Sequence, residues 1–65
     1  MFKHTTDEQI KCVKREIAMR EGCYAHWVAN GRMKQEKADL ELGLMKAVLE
    51  TLERVKLLED PESHI

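Results

Sequence analysis

The sequence is poor in the residues that interrupt helices or build reactive sites. Its 65 residues include one proline, three glycines and two cysteines, and the aromatic side chains are one tryptophan, one tyrosine and one phenylalanine. No segment repeats and no tract is low in complexity, which excludes a solenoid or a fibrous protein. No apolar run is long enough to cross a membrane. The net charge of −1 gives no reason to expect nucleic acid or a membrane surface as the partner.

The compartment is predicted from the first residues and from the two cysteines. The N-terminal residues lack the apolar core of a secretory signal peptide, so we expect a cytosolic protein. Cys12 and Cys23 lie on one predicted helix, about 16 Å apart along its axis, which is too far for a disulfide within the chain. We expect reduced thiols at helix–helix contacts. An intermolecular bridge across a dimer is the alternative.

The short break Asn30-Gly31-Arg32 divides two long segments that both have helical periodicity. The pattern predicts an all-α fold, an antiparallel two-helix hairpin in a single domain, residues 1–65. The helices are predicted over about 6–29 and 34–59, followed by a disordered tail at about 60–65, because Asp60 precedes Pro61. Apolar residues make up 43% of the chain, more than one two-helix seam needs. We therefore expect the hairpin to dimerise into a four-helix bundle.

Local signals predict the helix ends and the buried stripes. Thr5 with Glu8 and Thr6 with Gln9 are two possible capping boxes, and Asn30 or Gly31 should end the first helix. The predicted stripes are Ile10, Val13, Ile17, Tyr24, Trp27 and Val28 on the first helix, interrupted by Arg20 and Glu21, and Ala38, Leu42, Met45, Val48, Leu49, Leu52 and Val55 on the second. The residues expected to form the core or the dimer contact are Ile10, Val13, Ile17, Val28, Leu42, Met45, Leu49 and Leu52.

The charges divide unevenly along the chain. Residues 11–37 carry seven bases and three acids, whereas residues 38–62 carry three bases and seven acids. In an antiparallel hairpin these two segments lie against each other. The asymmetry predicts that bases of the first helix pair with acids of the second.

Side chains capable of catalysis or metal binding are few. Cys23 and His26 stand three residues apart and could approach one ion, but a structural zinc site needs four ligands. As a nucleophile and base, the same pair lacks an orienting group and a pocket. A buried thiol beside a surface histidine is the preferred interpretation. We expect no enzymatic activity, no metal and no cofactor.

Two clusters could bind a macromolecule. Lys11, Lys14 and Arg15 could contact phosphates along the first helix, although a solvated helix face is the favoured interpretation. The second cluster surrounds the break and consists of Tyr24, Trp27, Arg32 and Met33. These residue types are enriched in interface hot spots, and they could equally plug the closed end of the hairpin as core. Packing inward is the favoured interpretation for them.

A longer pattern spans these clusters. It comprises Glu16-Ile17-Ala18-Met19-Arg20, then Tyr24-x-x-Trp27-Val28-x-x-Gly31-Arg32-Met33, then Ala38 and the Leu-Met-x-Ala-Val-Leu-x-Thr-Leu run of residues 44–52. Over roughly residues 10–53 the chain resembles a family of small, mostly uncharacterised proteins from tailed phages and prophages of proteobacteria. The family includes short early proteins encoded between the recombination and excision genes of lambdoid phages.

The resemblance implies a setting rather than a mechanism. Such proteins are accessory regulators of the host bacterial cytoplasm that influence lytic versus lysogenic development or host physiology. We therefore expect a non-enzymatic early protein that acts by binding a host or phage protein and forms a homodimer or higher oligomer. The alternative is a small nucleic-acid-binding regulator that uses the basic face of the first helix.

Overall fold

The computed structural model describes residues 4–59, which form two antiparallel helices packed against each other. Helix α1 spans Thr6–Ala29 and helix α2 spans Gln35–Glu59. The all-α hairpin predicted from periodicity is confirmed, and α2 begins one residue later than predicted. The tail predicted at about 60–65 lies outside the described residues. We call the end with the turn the closed end and the end with Thr6 and Glu59 the open end.

Helix α1 begins with a complete capping box. Thr5 is the N-cap, in extended conformation, and its hydroxyl accepts a hydrogen bond from the Glu8 amide at 3.1 Å. The Glu8 carboxylate accepts one from the Thr5 amide at 2.8 Å. Of the two predicted boxes this one forms, because the Thr6 hydroxyl donates across the open end to the Glu59 carboxylate. The hydrogen bonds from the Thr5 backbone and hydroxyl lower the pKa of Glu8.

The turn ends α1 as the sequence predicts. Asn30 is the C-cap, and Gly31 has a φ of 73°, in the left-handed region that glycine adopts without strain. The Arg32 amide then donates to the Trp27 carbonyl at 2.9 Å, which satisfies one of the terminal carbonyls of α1. Five residues, 30–34, are enough to reverse the chain. The helices are therefore neighbours over their whole length.

The seam between the helices is thin. The buried residues are Ile10, Ile17 and Tyr24, spaced seven apart on α1, and Ala38 on α2. Their flanks are half-buried and include Val13, Val28, Leu42, Met45, Leu49 and Leu52. Among residues 4–59 no large side chain is completely buried. A single hairpin thus protects little apolar surface, as expected for a domain of this size.

Four predictions about the stripes are wrong. Trp27, which was expected in the stripe of α1, is exposed. Val48 and Val55, which were expected in the seam, are exposed at its edge. Arg20, expected to interrupt the stripe, is half-buried within it, because it follows Val13 by seven residues and precedes Trp27 by seven. Each stripe is wider than the contact with one neighbouring helix, so the sequence alone could not separate its centre from its edge.

The interhelix ion pairs have the opposite sense to the predicted one. Glu21 of α1 pairs with Lys46 of α2 at 3.5 Å, and Asp7 of α1 pairs with Lys56 of α2. Within the helix bounds α1 carries four acids and four bases, and α2 carries six acids and four bases. Half of the excess of bases in residues 11–37 lies in the turn and the first turn of α2, and Asp7 and Glu8 offset the other half within α1. These exposed pairs contribute little to stability.

The capping box predicts a pH dependence of folding. Since the folded pKa of Glu8 is below its ordinary value of 4.5, its contribution is present above that value and is lost as pH falls through the folded pKa. We expect Glu8→Gln to be less stable than the parent at pH 7 and to lose that difference towards pH 3. Urea unfolding followed by circular dichroism at one protein concentration measures this. A difference that is constant with pH would contradict the role of the carboxylate.

Alanine substitutions at two glycines, one in the turn and one within α2, should change the stability in opposite directions. Gly31→Ala should lower the free energy of unfolding by about 1–2 kcal/mol, because the left-handed conformation strains an alanine. Gly43→Ala should raise it by up to about 1 kcal/mol, because Gly43 lies within α2 and an added Cβ would meet nothing within 4 Å. Both are measured by urea unfolding. Equal effects of the two substitutions would refute this account of the turn.

Candidate protein interaction surface

The two sides of the hairpin differ in chemistry. On one side, α1 contributes Gln9, Cys12, Glu16, Cys23 and Trp27, and α2 contributes Leu44, Val48 and Val55; we call this side the apolar face. On the opposite side, a cleft is lined by Asp7, Ile10, Lys14, Glu53, Lys56 and Leu57. Both signs of charge therefore line the opposite cleft, whereas the apolar face carries exposed aliphatic side chains of α2 beside a groove.

The α2 part of the apolar face is exposed in the single chain. Leu44 is 54% exposed, Val48 47% and Val55 39%. Between Leu40 and Leu58, the residues on this outer stripe are Leu40, Leu44, Ala47, Val48, Thr51, Val55 and Leu58, and none of them is charged. Exposed apolar stripes of this kind mark surfaces that another protein covers.

A groove opens on the apolar face near the open end. One section has a volume of about 490 Å³ and is lined by His4, Gln9, Cys12, Val13, Val48 and Leu52. The adjoining section, about 460 Å³, is lined by His4, Thr5, Thr6, Gln9, Leu52, Val55 and Glu59. The two sections share His4, Gln9 and Leu52, so they form one groove. Its floor is aliphatic and its rim is polar, as in sites that receive an apolar side chain.

The four residues predicted to cluster around the turn differ in their burial. Tyr24 is buried in the seam, and Met33 is half-buried. Trp27 is 41% exposed and Arg32 is exposed. The rings of Tyr24 and Trp27 lie 5.8 Å apart at a tilt of 36°, so the buried ring supports the exposed one. Trp27 and Arg32 are thus the members that a partner can reach.

Arg20 is a polar residue of this region that the sequence predicted only as an interruption of the α1 stripe. One of its terminal nitrogens donates to the Tyr24 hydroxyl at 3.4 Å, and the other lies 3.6 Å from the Glu16 carboxylate. The hydrogen bond to Tyr24, together with the charge of Glu16, raises the pKa of Arg20. Its Nε is buried and has no hydrogen-bond partner within the part of the chain that the structure describes. The spacing of seven residues from Val13 and from Trp27 is the signal that could have placed it.

The basic residues proposed for nucleic acid lie on one broad face of α1 that acidic residues adjoin. Lys11, Lys14 and Arg15 are all exposed on α1. Lys14 lines the cleft opposite the apolar face, where Asp7 and Glu53 adjoin it. The three side chains spread over about 100° of the helix. Phosphates would therefore meet both signs of charge on this surface.

The cysteines occupy a different environment from the predicted one. Both are free and exposed, rather than at helix–helix contacts of the single chain, and Cys12 lines the groove. The prediction failed because both lie on the edge of the α1 stripe that α2 leaves uncovered. His26 contacts the Asn30 amide at 3.0 Å. Residues 4–59 contain no group of three or more side chains placed to hold a metal.

Comparison with known proteins adds no further constraint. The chain matches no protein-family model, no curated protein and no solved structure. Neither described helix combines the length and apolarity needed to cross a bilayer.

The division of the cluster predicts unequal effects of alanine substitution on folding. Tyr24→Ala should lower the free energy of unfolding by about 3 kcal/mol, because it removes a buried aromatic ring from the seam. Arg32→Ala should change it by no more than about 0.5 kcal/mol, because that side chain is exposed. Helicity and urea unfolding at equal concentration distinguish them. A fully stable Tyr24→Ala variant would place the tyrosine outside the core.

Proposed function

We propose that this chain is a non-enzymatic interaction protein that self-associates into a four-helix bundle and captures a protein partner. The observation that carries the proposal is the apolar face, an uncharged stripe of α2 beside a groove, left uncovered in the single hairpin. The thin seam supports self-association, because a second hairpin would bury side chains that one hairpin leaves exposed. Arg32, which is exposed at the closed end, is the proposed contact for the captured protein, and Trp27 contributes to capture through self-association.

The biological setting is part of the same proposal. The resemblance over residues 10–53 supports an early accessory protein of a phage or prophage, acting in the cytoplasm of a proteobacterial host. Such a protein would change the choice between lytic and lysogenic development, or host physiology, by occupying a surface of its target. The exposed apolar face is the physical means that this role requires.

Capture of the target should depend on the exposed residues of the closed end. We expect the tagged protein to retain a specific protein from nuclease-treated host lysate, and Trp27→Ala and Arg32→Ala to lose it. Both variants should keep the helical content of the parent, since neither side chain is buried. The matched control replaces Lys11, Lys14 and Arg15 by glutamine and should retain the same protein.

The reverse result would support the alternative. If the glutamine variant loses binding, and if retention requires intact nucleic acid and weakens steeply with salt, the protein is a nucleic-acid-binding regulator. If Arg32→Ala binds as the parent does, the closed end is not the capture site.

A further inference from the structure

We infer that two copies of this chain pair antiparallel through their apolar faces, so that Trp27 of each copy fills the groove at the open end of the other. The inference rests on the self-association proposed above and specifies its geometry. An alternative bundle, with both closed ends together, would place the two tryptophans at the same end.

Helix geometry places the tryptophan and the groove on the same side of α1. Gln9, which lines both sections of the groove, and Trp27 are eighteen residues apart, which is five full helical turns. They therefore share one direction from the helix axis and are separated by about 27 Å along it. A two-fold axis perpendicular to the helices at Ala18 lies midway between them. That axis brings Trp27 over the partner's Gln9.

The groove suits the indole chemically. Val13, Val48 and Leu52 offer an aliphatic surface within a volume of about 490 Å³, which has room for one indole ring. The side-chain carbonyl of Gln9 lies at the rim and can accept a hydrogen bond from the indole N–H. The contact is isologous, because each copy supplies one tryptophan and one groove.

The same two-fold axis places Arg20 beside an acidic residue of the other copy. Glu16 and Arg20 are also equidistant from Ala18, so each arginine comes to lie beside the partner's Glu16. The accessible part of the Arg20 guanidinium can then bind the partner's carboxylate as well as its own Glu16. Both side chains are about a third exposed in the single chain and so are accessible to such a pair.

Charges at the two ends favour the antiparallel arrangement. Exposed Arg32 and Lys34 lie at the closed end, and exposed Glu8 and Glu59 lie at the open end. Antiparallel pairing sets the basic turn of one copy against the acidic end of the other. Pairing with both closed ends together would instead bring two basic turns into proximity, which is unfavourable.

The apolar face is large enough for a stable dimer. A 24-residue helix is about 36 Å long, and two adjacent helices are about 20 Å wide, which gives about 700 Å² in projection. The accessible area of a contoured surface exceeds its projection. A stable interface needs about 800 Å² from each partner, so this face alone is sufficient for a second copy.

The two cysteines test the geometry without introducing new residues. Cys12 and Cys23 are nearly equidistant from Ala18, so Cys12 lies within about 1.5 Å, along the axis, of the level of the partner's Cys23. Like cysteines are farther apart, at about 18 Å for the two Cys12 residues and about 15 Å for the two Cys23 residues. A bis-maleimide with a two-carbon linker spans the unlike pair only.

We expect this reagent to give a covalent dimer of the parent chain and none of Cys12→Ser or Cys23→Ser alone. Mixing the two single variants should restore it, because the mixture supplies one cysteine of each kind. Cross-linking of either single variant by itself, or no cross-linking of a parent that sediments as a dimer, would overturn the antiparallel arrangement. A parent that is monomeric at every concentration would overturn the proposed self-association as well.

Sedimentation of a second set of variants tests the groove. Trp27→Ala and Val48→Asp should each raise the dimer dissociation constant at least about tenfold. Leu57→Ala, on the opposite side of the hairpin, is the matched control and should leave it unchanged. Circular dichroism confirms that each variant remains helical. An unchanged dissociation constant for Trp27→Ala would exclude the tryptophan from the interface.

Discussion

Burial along a single seam is the constraint on which the rest of this molecule depends. Two helices joined by five residues can bury one stripe each, and the described chain has no third element to cover the other sides. Ile10, Ile17 and Tyr24 supply the centre of that seam, and Ala38 lets α2 approach closely beside the turn. Every apolar side chain beyond this line is left at an edge. The width of the uncovered stripe on α2 is therefore a direct consequence of having so few elements, and the proposed binding role rests on it.

The sequence predicts the helix ends well, because their causes are local. The Thr5–Glu8 box and the Asn30–Gly31 stop each depend on residues within one turn, and both form as expected. The centre of the seam is less predictable. Val48 and Leu52 belong to the same broad stripe, and only the packing of α1 decides that Leu52 turns inward while Val48 remains exposed. The prediction of the interhelix ion pairs was wrong for a similar reason. The net charge of a sequence segment does not specify which acid faces which base.

The candidate surface could be predicted in part. Residue type singled out Trp27 and Arg32, but the favoured interpretation that they pack inward is wrong, because both side chains are exposed. Tyr24 is also of a residue type that is enriched in interfaces, yet it lies seven residues after Ile17 and is buried with it. Periodicity would have separated the two aromatic residues if the heptad had been followed through Arg20. The groove could not be foreseen, because its lining combines residues of α1 and α2 whose relative positions depend on how the two helices pack.

The shortness of the turn also gives the folding reaction a direction. Contacts beside the turn, such as those of Ala38, close the smallest loops and lose the least chain entropy, whereas the Thr6–Glu59 hydrogen bonds join residues 53 positions apart. Loop entropy therefore favours formation of the hairpin from the closed end outward. We expect substitutions at the turn to slow folding and substitutions at the open end mainly to speed unfolding. The groove lies at the open end, so in this order of folding its lining is complete only after the two helices have paired along their whole length.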